Sequence, residues 1–246
     1  MIEFLSIDMN NKNYKIGVDE VGRGPIAGPV AVCAFLAKDE GFLLSCSSES
    51  FLKENKLPKL KDSKKLSKKQ REQWFGFLGK QKENNLCDFV VSFVSPQNID
   101  KFGIAKCIQK ALDESLDKIA RQNLNKVASS EILFARSSDE GGQGARPSQK
   151  EIQTSLSLFS IFLDGGLHAP KEFINQETII KGDELHPVIS LASIVAKVSR
   201  DRVMCNFAKQ YKEYGFDKNS GYGTKAHYEA IKKHGQVPIH RRTFIH

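Results

Sequence analysis

Apolar residues come in two rhythms along this chain, one of period two and one near 3.6. The run 15–19 (Lys15-Ile16-Gly17-Val18-Asp19) is strand-like and breaks at Val21-Gly22-Arg23-Gly24-Pro25, and a second apolar run, 30–36, resumes after Gly28-Pro29. Two β-rich runs with a tight Gly/Pro-rich link predict a hairpin-like pair of strands. Cys33 lies inside the second run and reads as core. Residues 88–94, rich in Val and Phe and closed by Pro96, predict another strand. Residues 156–163 give one that ends in Asp164-Gly165-Gly166, and 178–181 a short one that ends in Gly182-Asp183.

The helical rhythm fills the gaps. Ser67-Lys68-Lys69-Gln70 has the S-x-x-Q form of a capping box, and Trp74, Phe77 and Leu78 follow at helical spacing, so a basic amphipathic helix is expected over 67–80. After Pro96 one helix should carry Ile99, Ile104, Ile108, Leu112, Leu116 and Ile119 as a single apolar stripe. Pro187 is a favoured first helical residue and opens a long helix to about residue 211, with Ile189, Ala192, Val195, Ala196 and Val198 inside it. A Gly-rich loop, a short helix over 226–234 and a basic tail complete the chain. From 123 to 154 the composition turns to Ser, Gly, Gln and Arg, too long and polar for an ordinary connection, which predicts a mobile insertion. This order of strands and helices implies an α/β domain with a small helical C-terminal addition.

Charge sharpens the picture once it is located. The net formal charge is +8, yet residues 51–83 hold eleven Lys or Arg against four acids, and residues 197–246 again eleven against four. The remainder is therefore mildly acidic. Basic arms around an acidic centre suit a polyanionic partner, although any single charge run is more often a solvated face. The five cysteines (Cys33, Cys46, Cys87, Cys107, Cys205) are scattered and never spaced C-x-x-C, which disfavours zinc and points to free thiols in a reducing compartment. The absence of a secretory pattern or a long apolar span predicts a cytoplasmic protein without membrane contact.

Three places put an acid at a predicted strand end beside glycine: Asp19-Glu20, Asp164 and Asp183. Alone, each is more often a turn or cap residue. Together they form a constellation of four carboxylates, and converging carboxylates repel unless a cation neutralises them. Oxygen donors without His or Cys select hard ions, Mg²⁺ or Mn²⁺, which suit phosphoryl chemistry at two metals.

The stretch Gly17-Val18-Asp19-Glu20-Val21-Gly22-Arg23-Gly24-Pro25 resembles the opening signature of the type 2 ribonuclease H (ribonuclease HII) family. Further matches follow in the family's order: Asp62-Ser63-Lys64-Lys65-Leu66, Leu163-Asp164-Gly165, Lys181-Gly182-Asp183, residues 190–202, Gly221-Tyr222-Gly223-Thr224 and His240-Arg241-Arg242-Thr243-Phe244. The resemblance implies a ribonuclease H-like mixed central sheet flanked by helices, with a catalytic domain over 14–205 and a substrate-binding helical extension over 206–246. It implies that Asp19, Glu20, Asp164 and Asp183 are the metal-binding catalytic acids. The backbone and side chain of Gly22-Arg23-Gly24 would sense a ribose 2′-hydroxyl, Tyr222 would stack on the sugar after the ribonucleotide, and Lys64, Ser193, Lys197 and Arg200 would meet phosphates. His227, His234 and His240 read as structural or phosphate-facing. The implied substrates are RNA–DNA hybrids and duplex DNA containing ribonucleotides, cut by a monomer. Gly166 departs from the family, which commonly has Asn there. Two rivals remain: the sister ribonuclease HIII type, disfavoured by Arg23 and the short N-terminal lead, and a silent hybrid-binding module, which would need no four acids.

Overall fold

The protein is described by a computed structural model at residues 14–135 and 156–245. The predicted opening pair forms: β1 (Tyr14–Val21) runs antiparallel to β2 (Val30–Ala37), with Asp19 opposite Cys33. β3 (Cys87–Val94) lies antiparallel on the far side of β2. β4 (Phe159–Asp164) pairs parallel with β1, and β5 (Gln176–Ile179) parallel with β4, giving a mixed sheet of order β3-β2-β1-β4-β5. Every residue of β2 is buried, so its sequence is a continuous apolar run instead of an alternating one.

Period-two alternation divides the sheet's side chains between two helical layers. Ile16 and Val18, with Val32 and Ala34, meet Ile108, Leu112, Leu116 and Ile119 of α5 (Ile104–Ala135). Cys33 and Phe35 face Ile189, Ala192 and Val195 of the long helix Pro187–Gln210, and Trp74 and Leu78 of α3 (Lys68–Glu83). Each fully buried Leu, Ile or Phe contributes about 1.5–3 kcal/mol, so these two seams dominate the stability. The capping box at Ser67 and Gln70 is complete, with both reciprocal hydrogen bonds made. Two short helices, α1 (Glu40–Ser45) and α2 (Glu49–Glu54), lead from β2 towards α3.

Two expectations change. The single helix predicted after Pro96 is two, α4 (Pro96–Phe102) and α5, because Gly103 takes φ 81° and turns the chain between them. The helix then continues through Asn123 to Ala135, so the start of the predicted insertion is regular structure. Asn123 is buried, and its amide donates to Ile119 O at 2.8 Å and to the Asp88 carboxylate at 3.2 Å. Asp88 also meets Lys82 at 2.7 Å. A polar residue here therefore anchors the helix to β3. Residues 136–154 of that stretch lie outside the described residues.

After β5 come α6 (Gly182–Leu185) and α7 (Pro187–Gln210), then α8 (Phe216–Asn219) and α9 (Lys225–His234). The expected division at residue 205 falls inside α7. A third apolar cluster, with Met204, Tyr214, Phe216 and Ile239, joins the end of α7 to the C-terminal segment and reaches Ala27 of the loop between β1 and β2. Four of the five cysteines, Cys33, Cys46, Cys87 and Cys107, are buried. Among the described residues no helix is long and apolar enough to cross a membrane.

Candidate active site and nucleic-acid face

The strand register sets the acids side by side. Parallel pairing of β1 with β4 ends at Val18 opposite Leu163, so one further step brings Asp19 beside Asp164 at the open ends of adjacent strands. Both point to the α7 face, since their neighbours Val18 and Leu163 belong to the α5 seam. Asp183 follows β5, which pairs with β4 through Asp164 and Ile179, and it is buried in the single turn of α6. Ends of strands at such a crevice are where α/β folds gather reactive side chains.

The electrostatics record the gathering. Burial raises the Asp19 carboxyl well above its ordinary range, a hydrogen bond with Ser193 opposes the shift, and the charges of Glu20, Asp164 and Asp183 add to it. Glu20 is raised by burial and by Asp164, with Arg23 opposing at 3.2 Å. Asp183 is raised by burial and then by Asp164, with Lys64 opposing at 3.5 Å. Carboxylates that raise one another in this way form a site that a cation would stabilise. Asp164 accepts a hydrogen bond from Gly182 N–H at 2.7 Å. Among the described residues no three His, Cys, Asp or Glu are drawn close enough together to be a ready-made ion cage. The acids are thus electrostatic neighbours of the right chemistry, each with a local partner that a divalent ion would displace or complement.

The loop between β1 and β2 passes beside them, held from beneath by two buried arginines. Arg200, fully buried on α7, donates through Nε to Pro29 O at 2.8 Å and through its terminal nitrogens to Ser220 O at 2.9 Å and Ala27 O at 3.2 Å. Arg241, also fully buried, donates to Gly28 O at 2.9 Å, Arg23 O at 3.1 Å and Gly22 O at 2.7 Å. Gly22 has no alternative: its φ is 92°, and a Cβ would fall 2.3 Å from Arg200 Nε and 2.8 Å from Pro29 O. Arg23 and Gly24 are exposed at the loop's tip, and the Tyr222 ring stands 3.8 Å from where a Gly24 Cβ would be.

The other predicted contacts divide. Lys64 is exposed beside Asp183, and Tyr222 is 46% exposed beside the loop, both available to a ligand. Ser193 is buried against Ser63 at 2.8 Å. Lys197 reaches Asp201 at 2.7 Å. Arg200 is a correction: with its donors spent on main-chain carbonyls and no exposed surface, it does not meet a phosphate but clamps the loop. A cleft of 320 Å³ lined by Lys68, Arg71, Lys197, Asp201, Lys218 and Tyr222 joins the two basic stretches of the sequence, and none of the four acids lines it.

Comparison with known proteins decides the family. The sequence model of ribonuclease HII matches residues 16–140 and 160–246. The ribonuclease HII of Endomicrobium trichonymphae is 37% identical over 244 residues, 97% of this chain and 90% of the relative. The chain belongs to the ribonuclease HII family. That of Rickettsia felis is 34% identical over 99% of this chain and 97% of its own. The crystal structure of the ribonuclease H2 from Pyrococcus horikoshii OT3 has a TM-score of 0.54 at 25% identity, covering 94% of this chain and 93% of that one. The chain is accordingly an enzyme, a ribonuclease H, and the silent-module rival falls away.

For this member of the ribonuclease HII family, reasoning from sequence missed two things. Arg241 read as part of a basic tail, whereas it is a buried clamp whose only signal was its place in the His240-Arg241-Arg242-Thr243-Phe244 motif. His227 and His240 form a buried pair, Nε2 to Nε2 at 3.0 Å, enclosed by Tyr214 and Phe216. That settles their role as structural.

Proposed function

We propose that this ribonuclease HII hydrolyses the phosphodiester on the 5′ side of a ribonucleotide in duplex nucleic acid, leaving 3′-hydroxyl and 5′-phosphate ends. Its substrates are single ribonucleotides embedded in DNA and the RNA strand of RNA–DNA hybrids, and its biological place is the removal of misincorporated ribonucleotides in the cytoplasm by a monomer. The observation that carries this is the register that sets Asp19 beside Asp164 with Asp183 in electrostatic reach. Asp19, Glu20, Asp164 and Asp183 would hold two divalent ions, Mg²⁺ or Mn²⁺, and the ions would supply the Lewis acidity for phosphodiester hydrolysis.

The chain's own residues do the rest. Ser193 and Ser63 hold Asp19 and the start of the Lys64 turn in one hydrogen-bonded group. Lys64, exposed beside Asp183, is placed to take up a phosphate oxygen, with Lys197 a second contact along the cleft. The exposed tip of Gly22-Arg23-Gly24 offers bare backbone to the 2′-hydroxyl, the group that distinguishes RNA from DNA. Tyr222 beside it offers a flat apolar face to the next sugar. Residues 14–205 supply the catalytic acids and part of the grip on the duplex, and 206–246 add Tyr222 and further grip.

The test uses a DNA duplex with one ribonucleotide, incubated with the wild type and with Asp19→Asn, in Mg²⁺, in Mn²⁺ and in chelator. Cleavage is expected only for the wild type with a divalent ion. Cleavage in chelator, or undiminished cleavage by Asp19→Asn, overturns the metal mechanism.

A further inference from the structure

The Tyr222 main chain is held by the buried histidine pair, and the hydrogen bonds fix how. His227 Nδ1 lies 2.9 Å from Tyr222 O, and a carbonyl can only accept, so that nitrogen carries a proton. A neutral His227 then has a bare Nε2, which must accept from His240 Nε2 at 3.0 Å. His240 Nδ1 lies 2.8 Å from Val237 N–H and 3.2 Å from Val237 O, and with its proton on Nε2 it is bare and accepts from the nearer N–H. One direction of donation therefore runs from Val237 through His240 and His227 to Tyr222. The opposite tautomer of either ring would set two lone pairs or two N–H groups against each other.

The same segment grips the other side of the substrate face. Ala27 and His240 form a β-bridge, Ile26 and Ala27 N–H donate to Gly221 O at 2.9 and 3.1 Å, and the residue after His240 is Arg241, the clamp on Gly22, Arg23 and Gly28 carbonyls. The histidine pair thus sits at the joint between the 2′-hydroxyl-facing loop and the tyrosine. It touches neither the acids nor the open surface, since His227 is fully buried and His240 is 3% exposed.

We infer that the His227–His240 pair is a positioning device that holds Tyr222 in register with the Gly22-Arg23-Gly24 loop, and so sets the preference of the enzyme for an RNA-to-DNA junction over a uniform hybrid. This rests on the proposed role of Tyr222. The pair does no chemistry: its effect falls on which substrate is cut.

The experiment compares kcat/KM on a single-ribonucleotide duplex with that on an all-RNA hybrid for wild type, Tyr222→Ala, His227→Leu and His227→Asn. His227→Leu removes the donor to Tyr222 O and is expected to lower the junction-to-hybrid ratio about 3–10-fold, the worth of one positioned hydrogen bond. His227→Asn keeps an amide N–H at the Nδ1 position and is expected to restore most of the ratio. If Tyr222→Ala shifts the ratio and His227→Leu does not, or if His227→Leu slows both substrates equally, or if His227→Asn fails to restore it, the inference is overturned while the role of Tyr222 stands. If Tyr222→Ala itself leaves the ratio unchanged, the role of Tyr222 falls first. Should His227→Leu fail to fold, imidazole ¹⁵N shifts of the wild type decide the tautomers. Protonated Nδ1 on His227 with protonated Nε2 on His240 supports the chain of donors, and any other pattern overturns it.

Discussion

Replacing Arg200 by Met discriminates between a loop clamp and a phosphate contact. The side chain is fully buried and its three donors go to Pro29 O, Ser220 O and Ala27 O at 2.8, 2.9 and 3.2 Å. Hydrogen bonds to a charged group contribute about 1.5–3 kcal/mol each, so the three together have a gross value of roughly 4.5–9 kcal/mol. Against this stands the cost of burying the guanidinium, which lowers its pKa to about 10. Met fills much of the same volume and removes that cost, but it leaves three carbonyls without their donor. Each carbonyl left unsatisfied costs about 1–3 kcal/mol and relief of the buried guanidinium offsets part of the sum, so the net loss should be about 3–5 kcal/mol. At about 2–4 °C per kcal/mol for a chain of this size, the midpoint of thermal unfolding should fall by about 6–20 °C.

The assay pairs thermal unfolding with fluorescence anisotropy of a labelled hybrid duplex in chelator, measured over a range of salt concentrations. A clamp gives a large fall in Tm with the log Kd against log salt slope unchanged. A phosphate contact gives the reverse, a slope smaller by ~0.7–0.9 and little change in Tm. Lys64→Gln serves as the contrast, because its ammonium is exposed: its slope should fall and its Tm should not. An Arg200→Met protein of wild-type Tm and reduced slope would refute the clamp.

Gly22→Ala is expected to cost at least ~1–3 kcal/mol by urea unfolding, since the left-handed backbone and the contacts at 2.3 and 2.8 Å leave a Cβ nowhere to go. An unchanged midpoint would mean that the loop has another conformation available. The buried histidine pair makes stability depend on pH. Burial and the neighbouring His227 push His240 from 6.5 down to about 4, so between those values the unfolded chain binds more protons than the folded one. Its contribution is complete above about 6.5 and is lost as pH falls towards 4, amounting to ~2 kcal/mol between pH 7 and pH 5. Urea unfolding at the two pH values checks this, and His240→Gln should flatten the difference. A wild type equally stable at both, or a His240→Gln protein with the full difference, would refute it.

What was legible in the sequence followed from where apolar periodicity and turn chemistry agree. Gly22, Gly24 and Pro25 between two β-rich runs gave the β1–β2 pair, Ser67 with Gln70 gave the start of α3, and Pro187 gave the start of α7. The acids were legible as a set because each ends a strand beside glycine, and the parallel pairing that sets Asp19 beside Asp164 then follows from the sheet order. Gly103 was harder, because the apolar stripe continues in phase from Ile99 into α5 and only a positive φ betrays the break. Asn123 misled for a related reason: its amide answers Asp88, far away in sequence, and composition cannot register such a partner.

Arg200, expected at a phosphate, and Arg241, read as part of a basic tail, both turn inward for one reason, which lies in the loop they hold. A loop rich in Gly and Pro, folded tightly enough to present bare backbone at its tip, must leave carbonyls pointing inward without strand or helix partners. Buried carbonyls need donors, and arginine, with five N–H groups in one rigid fork, supplies several at once. Gly22, Arg23, Ala27, Gly28 and Pro29 each give a carbonyl to one of these two side chains. The exposure of Arg23 and Gly24 above therefore depends on the burial of Arg200 and Arg241 below. A basic residue in such a motif should be assigned to nucleic acid only after the carbonyls of the adjoining loop have been counted.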